Sequence, residues 1–591
     1  LKKTIRFLCT LFLFIYLFSL AAPVIAENTT QTEKTFSDVP KTSAAYNAVN
    51  ELRRLGVTNG VGNNQFGYGR NMTRGEFVTW LVKLQGFKTV NPSKGSFTDN
   101  QNRKAAYYTA VETALANGIL DKGTGKFRPA DVITREEAAV MLVKSMGYGT
   151  LADRLYYLNK PFSDVTANIG YATIMKDSGI IPSNASLFNP SGKVLKEQAA
   201  VMLFNLYTAL KRPIKDLNAF YAISSSSQQD KMTSFTSVCF GWSKLSYNPA
   251  SASVIVNMTR NAVGYNEYFL PTGFEQRLTT VQQAGIPAML MVQATQDSKM
   301  TDPSTGLQVG LPEYILTKPE VYRKLIADIV SALDSTTLGS ETGSFDGVAV
   351  DMEGLKGTVL KQRFTEFLKE LKTALDADNK KLYVAVQPLM HPKRSASSMD
   401  GYDYAAIGTL ADKVILMAHD YDAKRLTQAQ MAQGYYITPL TPLEDVYYAL
   451  ETITDSKSGI KDRSKIMLQI SFDWTVWKRK DGKTVSAVPG SFTLDSFENL
   501  LNNKKIKMTY NYSPNYYNPY LQYIDPDTGM ENTVWYENTR SVMDKIKLAK
   551  LFGVQGISLW RLGSIPDYGT DDSRGLGMDV WKNILAGMEK N

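Results

Sequence analysis

Phe345-Asp346-Gly347-Val348-Ala349-Val350-Asp351-Met352-Glu353 alternates apolar residues with carboxylates. Side chains of an extended strand point to opposite faces with period two. Ala349, Asp351 and Glu353 therefore share one face, and Val348, Val350 and Met352 share the other. Both faces are apolar until the last positions, the pattern of a strand covered on both sides in a parallel sheet. The two carboxylates end the strand, and Gly354 follows. Two ionised carboxylates held so close repel, so the pKa of one must rise and that group can keep a proton. A lone Asp-x-Glu fits an acidic strand end equally well, so its reading depends on its neighbours.

Those neighbours repeat the pattern. Apolar runs at 219–224, 237–242, 288–294, 382–389, 413–420, 465–472 and 556–561 alternate with helical stretches. Phe364, Phe367, Leu368, Leu371 and Leu375 show helical spacing just after the central strand. Eight such units predict a (β/α)8 barrel of the α/β class over residues 215–591. The Tyr-rich stretch 475–535, with turns at Lys480-Asp481-Gly482-Lys483 and Asp525-Pro526-Asp527-Thr528-Gly529, is too long for a plain loop. It predicts a small β-rich insertion between strands seven and eight.

Functional residues of such a barrel lie at the C-terminal strand ends. Here those ends carry Trp242, Gln293, Asp351, Glu353, Gln387, Met417, His419, Asp420, Tyr421, Phe472, Trp474 and Trp560. Rings beside carboxylates suit a sugar, whose apolar face stacks while its hydroxyls find polar partners. A proton donor is what cleavage of a glycosidic bond requires. No His/Cys cluster has metal-ligand spacing, so neither metal nor cofactor is expected. No phosphate-binding glycine loop or nucleic-acid motif is present, so no nucleic-acid partner is expected.

Residues 215–591 resemble glycoside hydrolase family 18, within it the branch of spore-cortex and cell-wall N-acetylglucosaminidases. The family pattern D-x-x-D-x-D-x-E is met by Asp346, Asp351 and Glu353, with Ala349 in place of the middle Asp. Met417-Ala418-His419-Asp420 matches M-x-Y-D with His for Tyr, although Tyr421-Asp422 would restore the pair after a register slip. Gly556-Ile557-Ser558-Leu559-Trp560 matches the closing Trp strand. The resemblance implies a substrate-assisted reaction. Glu353 would be the general acid and later the base. Asp351 would orient the 2-acetamido group, whose oxygen attacks the anomeric carbon. Trp560, His419, Asp420, Tyr421, Gln387, Trp242 and Met417 would contact an N-acetylglucosamine-containing polysaccharide.

The N-terminal third carries a threefold repeat. Phe36-Ser37-Asp38, Phe97-Thr98-Asp99 and Phe162-Ser163-Asp164 each precede a helical pattern, a glycine turn and an aromatic loop. A second helix then starts at Thr73-Arg74-Gly75-Glu76, Thr134-Arg135-Glu136-Glu137 and Leu195-Lys196-Glu197-Gln198. The first two starts are capping boxes, and a basic residue beside free N–H groups favours an anion. These phrases resemble S-layer homology repeats, at about 35–90, 95–150 and 160–212. That resemblance implies non-covalent attachment to an anionic secondary polymer of a Gram-positive-type wall. Arg74, Arg135 and Lys196, with Asp38, Asp99 and Asp164, would serve that role. The third copy departs at Leu195, Lys196 and Gln198.

Residues 1–26 read as a secretory signal, with Lys2, Lys3 and Arg6 before an apolar stretch and Val24-Ile25-Ala26 at its end. A secreted, wall-located protein without a membrane span after cleavage is expected. The formal net charge of +9 suits an anionic polymer without identifying one. Three readings stay open: a wall-tethered glycosidase, a lectin-like barrel using the same cleft, and a structural surface-layer protein. The two retained carboxylates favour the first. Ala349 and His419 keep the second.

Overall fold

The computed structural model describes residues 35–588, apart from 124, 183–184, 395–398, 423–424 and 569–575. The expected signal segment lies outside the described residues.

Eight parallel strands close into a barrel in chain order. They are β1 (Asp216–Tyr221), β2 (Ser237–Phe240), β3 (Ala288–Thr295), β4 (Gly347–Glu353), β5 (Lys381–Val386), β6 (Lys413–Leu416), β7 (Ile466–Ser471) and β8 (Gly556–Trp560). Closure is made by β8 pairing with β1, Ile557 opposite Leu217. β4 is buried along its length except at Glu353, as its two-sided apolar pattern requires. Its register with β3 sets Asp351 beside Gln293. Burying each Val or Leu of these strands contributes about 1.5–3 kcal/mol, which fixes the register strongly.

The insertion between β7 and β8 is a five-stranded antiparallel sheet with the helix Leu494–Asn502 packed on it. Its strands run Thr475–Lys480, Lys483–Thr484, Met508–Ser513, Asn518–Ile524 and Glu531–Trp535.

Three helix pairs precede the barrel: α1 (Tyr46–Arg54) and α2 (Arg74–Gln85), α3 (Tyr108–Ala116) and α4 (Arg135–Ser145), α5 (Ile169–Asp177) and α6 (Lys196–Lys211). They close on themselves. Thr73 bridges Val132, Thr134 bridges Lys193, and Leu195 returns to Asn71. The module packs directly on the barrel's outer helices α7 (Leu443–Ile453) and α8 (Thr539–Leu551). Tyr148 Oη donates to the Asp544 carbonyl at 2.7 Å, Tyr447 Oη to Asp177 at 2.6 Å, and Arg212 to the Lys550 carbonyl at 2.6 Å. Among the described residues no helix is long and apolar enough to cross a membrane.

Candidate active site

Asp351 and Glu353 stand on the inward face of β4 at the C-terminal mouth of the barrel. Below them the interior is apolar: Ala349, Met289, Met291, Tyr383 and Met417 form one cluster with Phe220 and Cys239. Asp351 is 5% exposed, and its Oδ1 has no hydrogen-bond partner in the structure. Burial, reinforced by the Glu353 charge, pushes its pKa well above the ordinary carboxylate range. Of the pair, Asp351 is the carboxyl whose neutral form this setting favours.

Glu353 is reached by two amides, Gln293 Nε2 at 3.4 Å and Gln387 Nε2 at 3.4 Å. The orientation of Gln387 is fixed by its other end. Its Oε1 accepts from Gly354 N at 2.6 Å and from Tyr402 Oη at 3.3 Å, so its NH2 must face Glu353. The single Tyr402 hydroxyl hydrogen is shared with the Met352 carbonyl, the nearer acceptor at 2.7 Å, which pins the end of β4.

Gln387, Met417, His419, Asp420 and Tyr421 meet Glu353 around one cavity of about 110 Å3, completed by Pro388, Met390 and Met399. His419 Nε2 lies 2.7 Å from Gln469 Oε1, and its Nδ1 lies 3.2 Å from Asp420 Oδ2. Burial works against its charged form, but Asp420, Gln469 and Asp473 outweigh it and raise the pKa. The imidazole thus tends toward a cation that donates at both nitrogens. Below it a polar chain runs through the barrel, from Gln469 to Ser558 at 3.4 Å and on to Asn218 at 2.8 Å.

Trp560 packs on the apolar cluster, its ring 5.3 Å from that of Phe220. Tyr268, which the sequence reading missed, packs on the same cluster. The inward position at the end of β2 is Gly241, and the Tyr268 ring lies 3.5 Å from where its side chain would begin. Burial and the two site carboxylates raise the Tyr268 pKa. Tyr268 comes from the loop after an antiparallel hairpin of strands Lys244–Asn248 and Ser253–Asn257, where neither spacing nor strand parity announces it.

Trp242 does not reach the cleft. It is fully buried and packs on Phe240 (4.2 Å between centroids), Tyr221, Phe274 and Phe345. Parity explains the correction: Trp242 shares the outward face of Val238 and Phe240, while Cys239 and Gly241 face in.

In the helical module the basic residues work across repeat boundaries. Arg74 Nε donates to the Phe127 carbonyl at 2.9 Å, with Nη1 2.6 Å from Glu137. Arg135 Nε donates to the Phe188 carbonyl at 2.5 Å, and Lys196 pairs with Glu76 at 2.6 Å. Both Thr capping boxes are formed, whereas Leu195 offers no side-chain oxygen. The three aspartates clamp the aromatic loops. Asp38 accepts from Phe66, Gly67 and Tyr68 N, Asp99 from Phe127 and Arg128 N, and Asp164 from Phe188 and Asn189 N. Their carboxylates are thus engaged by the backbone, and any effect of theirs on an anion passes through these loops.

Residues 312–564 match the model of Glycosyl hydrolases family 18. Residues 35–78 and 96–139 match the S-layer homology domain. The third helix pair, which that model does not match, repeats the loop clamp and the ring closure. The cortical fragment-lytic enzyme of Bacillus anthracis is 24% identical over 52% of this chain and 67% of that protein. Its counterpart in Bacillus subtilis is 23% identical over 43% of this chain and 53% of that protein. The chain thus spans about half to two thirds of the length of these curated relatives. The Bacillus cereus spore cortex-lytic enzyme SleL superposes with a TM-score of 0.46 at 17% identity, covering 64% of this chain and 75% of that one.

Proposed function

From a chain that carries a family 18 glycosyl hydrolase domain together with S-layer homology domains, we propose a wall-associated glycosidase that cleaves β-1,4 bonds after N-acetylglucosamine. The observation that carries this reading is the Asp351–Glu353 pair at the barrel mouth. One carboxyl is buried with its pKa pushed up, and the other faces the cavity between two amide donors. Asp351 holds the shared proton at rest. When a substrate acetamido group docks, its N–H hydrogen-bonds to Asp351 and favours the ionised form. The proton then belongs on Glu353, which delivers it to the leaving oxygen. The acetamido oxygen attacks the anomeric carbon, and Asp351 stabilises the oxazolinium ion. Water, activated by Glu353, opens that ring. Trp560 floors the sugar, and His419, both of whose ring nitrogens are engaged by Gln469 and Asp420, stands where the family has a tyrosine and holds Asp420 at the cleft. The names of the cortical fragment-lytic relatives make a peptidoglycan-type glycan the first substrate to try.

The test is release of reducing ends, with product masses, from peptidoglycan and from chitin oligomers. De-N-acetylated polymer is the control, and equal hydrolysis of it would point to an enzyme nucleophile and sink the substrate-assisted route. A lectin-like barrel is the second reading, favoured by the unpartnered Asp351 Oδ1 beside Ala349. Binding without any new reducing ends would establish it. For tethering, Arg74→Ala and Arg135→Ala should each release the protein from sedimented walls more than Lys196→Ala does. Binding that survives removal of the anionic wall polymer would overturn the anchoring role.

A further inference from the structure

The segment 387–394 leaves β5 at the cleft and ends against the helical module. Its first part lines the cavity through Gln387, Pro388 and Met390. Its second part turns away. His391, 6% exposed, sets Nε2 3.0 Å from Asp445 Oδ1, while its Nδ1 accepts from Lys393 N at 3.2 Å. The tautomer follows: Nε2 carries the hydrogen and donates to Asp445. Arg394 forks onto Asp445 at 2.8 and 2.5 Å and reaches Asp422 at 2.7 Å and the Tyr421 carbonyl at 3.2 Å. The same Tyr421 lines the cavity.

The far side of this network belongs to the helical module. Arg154 Nε donates to Glu444 Oε2 at 2.6 Å, and Lys393 Nζ lies 3.2 Å from Glu444 Oε1 and 2.9 Å from the Arg154 carbonyl. The Tyr157 ring lies 5.2 Å from that of His391 and 4.2 Å beneath Lys393 Nζ. Glu444 and Asp445 open α7 with side chains only 4% and 3% exposed. A buried carboxylate that loses one of its cations is left undercompensated, and the remaining partners must move toward it. For Glu444 the partner free to move is Lys393, which would drag the cavity wall with it.

The geometry points to Arg154 and Tyr157 as positioning residues for the substrate cleft: the segment joining the second and third repeats holds the 387–394 wall in place. This rests on reading the cleft as a glycosidase site. It makes the anchor module part of the active-site scaffold and goes beyond tethering. Neither residue reaches the cavity, so both act through Glu444, His391 and Lys393.

The experiment uses the full chain with Arg154→Gln, Tyr157→Ala, the conservative Arg154→Lys, and Lys144→Ala. The last removes an ion pair with the exposed Asp121 elsewhere in the module. Readouts are Tm, KM and kcat on a soluble N-acetylglucosamine oligomer, and amide hydrogen exchange across 387–394. Displacing a substrate-positioning wall is expected to raise KM about tenfold for Arg154→Gln and Tyr157→Ala, with a smaller change in kcat. The Lys393 and Arg394 amides should lose protection, Arg154→Lys should recover most of both effects, and Lys144→Ala should match the wild type. Unchanged exchange and KM in Arg154→Gln, or equal changes in Lys144→Ala, would overturn the positioning role. A wild-type chain that hydrolyses no such oligomer would remove the catalytic reading. The exchange result would then decide the positioning role alone, for or against.

Discussion

At the scale of single residues, the site depends on where one proton rests. Asp351 sits on apolar residues and meets the charge of Glu353, so its neutral form is favoured. Glu353→Gln keeps the shape and removes the transferable proton. Turnover should fall at least about a hundredfold, with oligomer binding retained in calorimetry. Asp351→Asn tests the other half. An acid whose folded pKa is raised contributes stability that is complete below its unfolded pKa and lost as pH rises through the folded value. Near neutral pH the buried Asp351 is therefore a cost that Asn avoids. The variant should melt roughly 2–5 °C higher than wild type at pH 7, converge with it near pH 3, and lose turnover. A lower Tm for Asp351→Asn at pH 7 would mean that the carboxylate is stabilised by partners the structure does not show.

At the scale of elements, the three second helices of the module start on near-identical backbone but different chemistry. Thr73 and Thr134 accept from the N–H three residues on, and Glu76 and Glu137 reach back. Leu195 holds the same extended backbone, and Gln198 still reaches back to its N–H at 3.1 Å. Half of the box is thus already in place. Leu195→Thr should add about 0.5–1 kcal/mol, read as a higher urea midpoint with an unchanged slope. No gain would show that the half-buried Leu195 side chain contributes as much by packing as a hydroxyl would by capping.

At the scale of the molecule, the helical module and the barrel share one continuous core, which includes Tyr148, Leu151 and Leu155 on one side and Val542, Ile546 and Ala549 on the other. Calorimetry should therefore show one cooperative transition for the full chain. Tyr148 is fully buried at the junction, with its hydroxyl donating to the Asp544 carbonyl. Tyr148→Ala should cost about 3–5 kcal/mol and split the trace into two transitions. Two transitions already present in the wild type would mean that the two parts unfold independently.

The local code of this chain determined its strands and their order. Each barrel strand is a mainly apolar run, interrupted by single polar residues such as Asn218, Gln293, Gln469 and Ser558, and a parallel strand buried on both faces stays legible through such positions. The Asp351–Glu353 pair was legible for the same reason, since period two puts both on one face. The repeat starts were visible because capping is a contact across three residues. What only the tertiary structure decided are matters of long-range approach. Trp242 reads as a cleft residue until the barrel shows that its parity faces outward. Tyr268 fills the space left by Gly241 from a loop whose path no local rule sets. The aspartates at the repeat starts proved to be loop clamps, because their donors lie about two dozen residues or more away in sequence. Arg154 and His391 lie far apart in sequence, on either side of the first five barrel strands. Only packing against α7 makes them neighbours, because side-chain and backbone periodicity carries no information about which distant surfaces will be buried together.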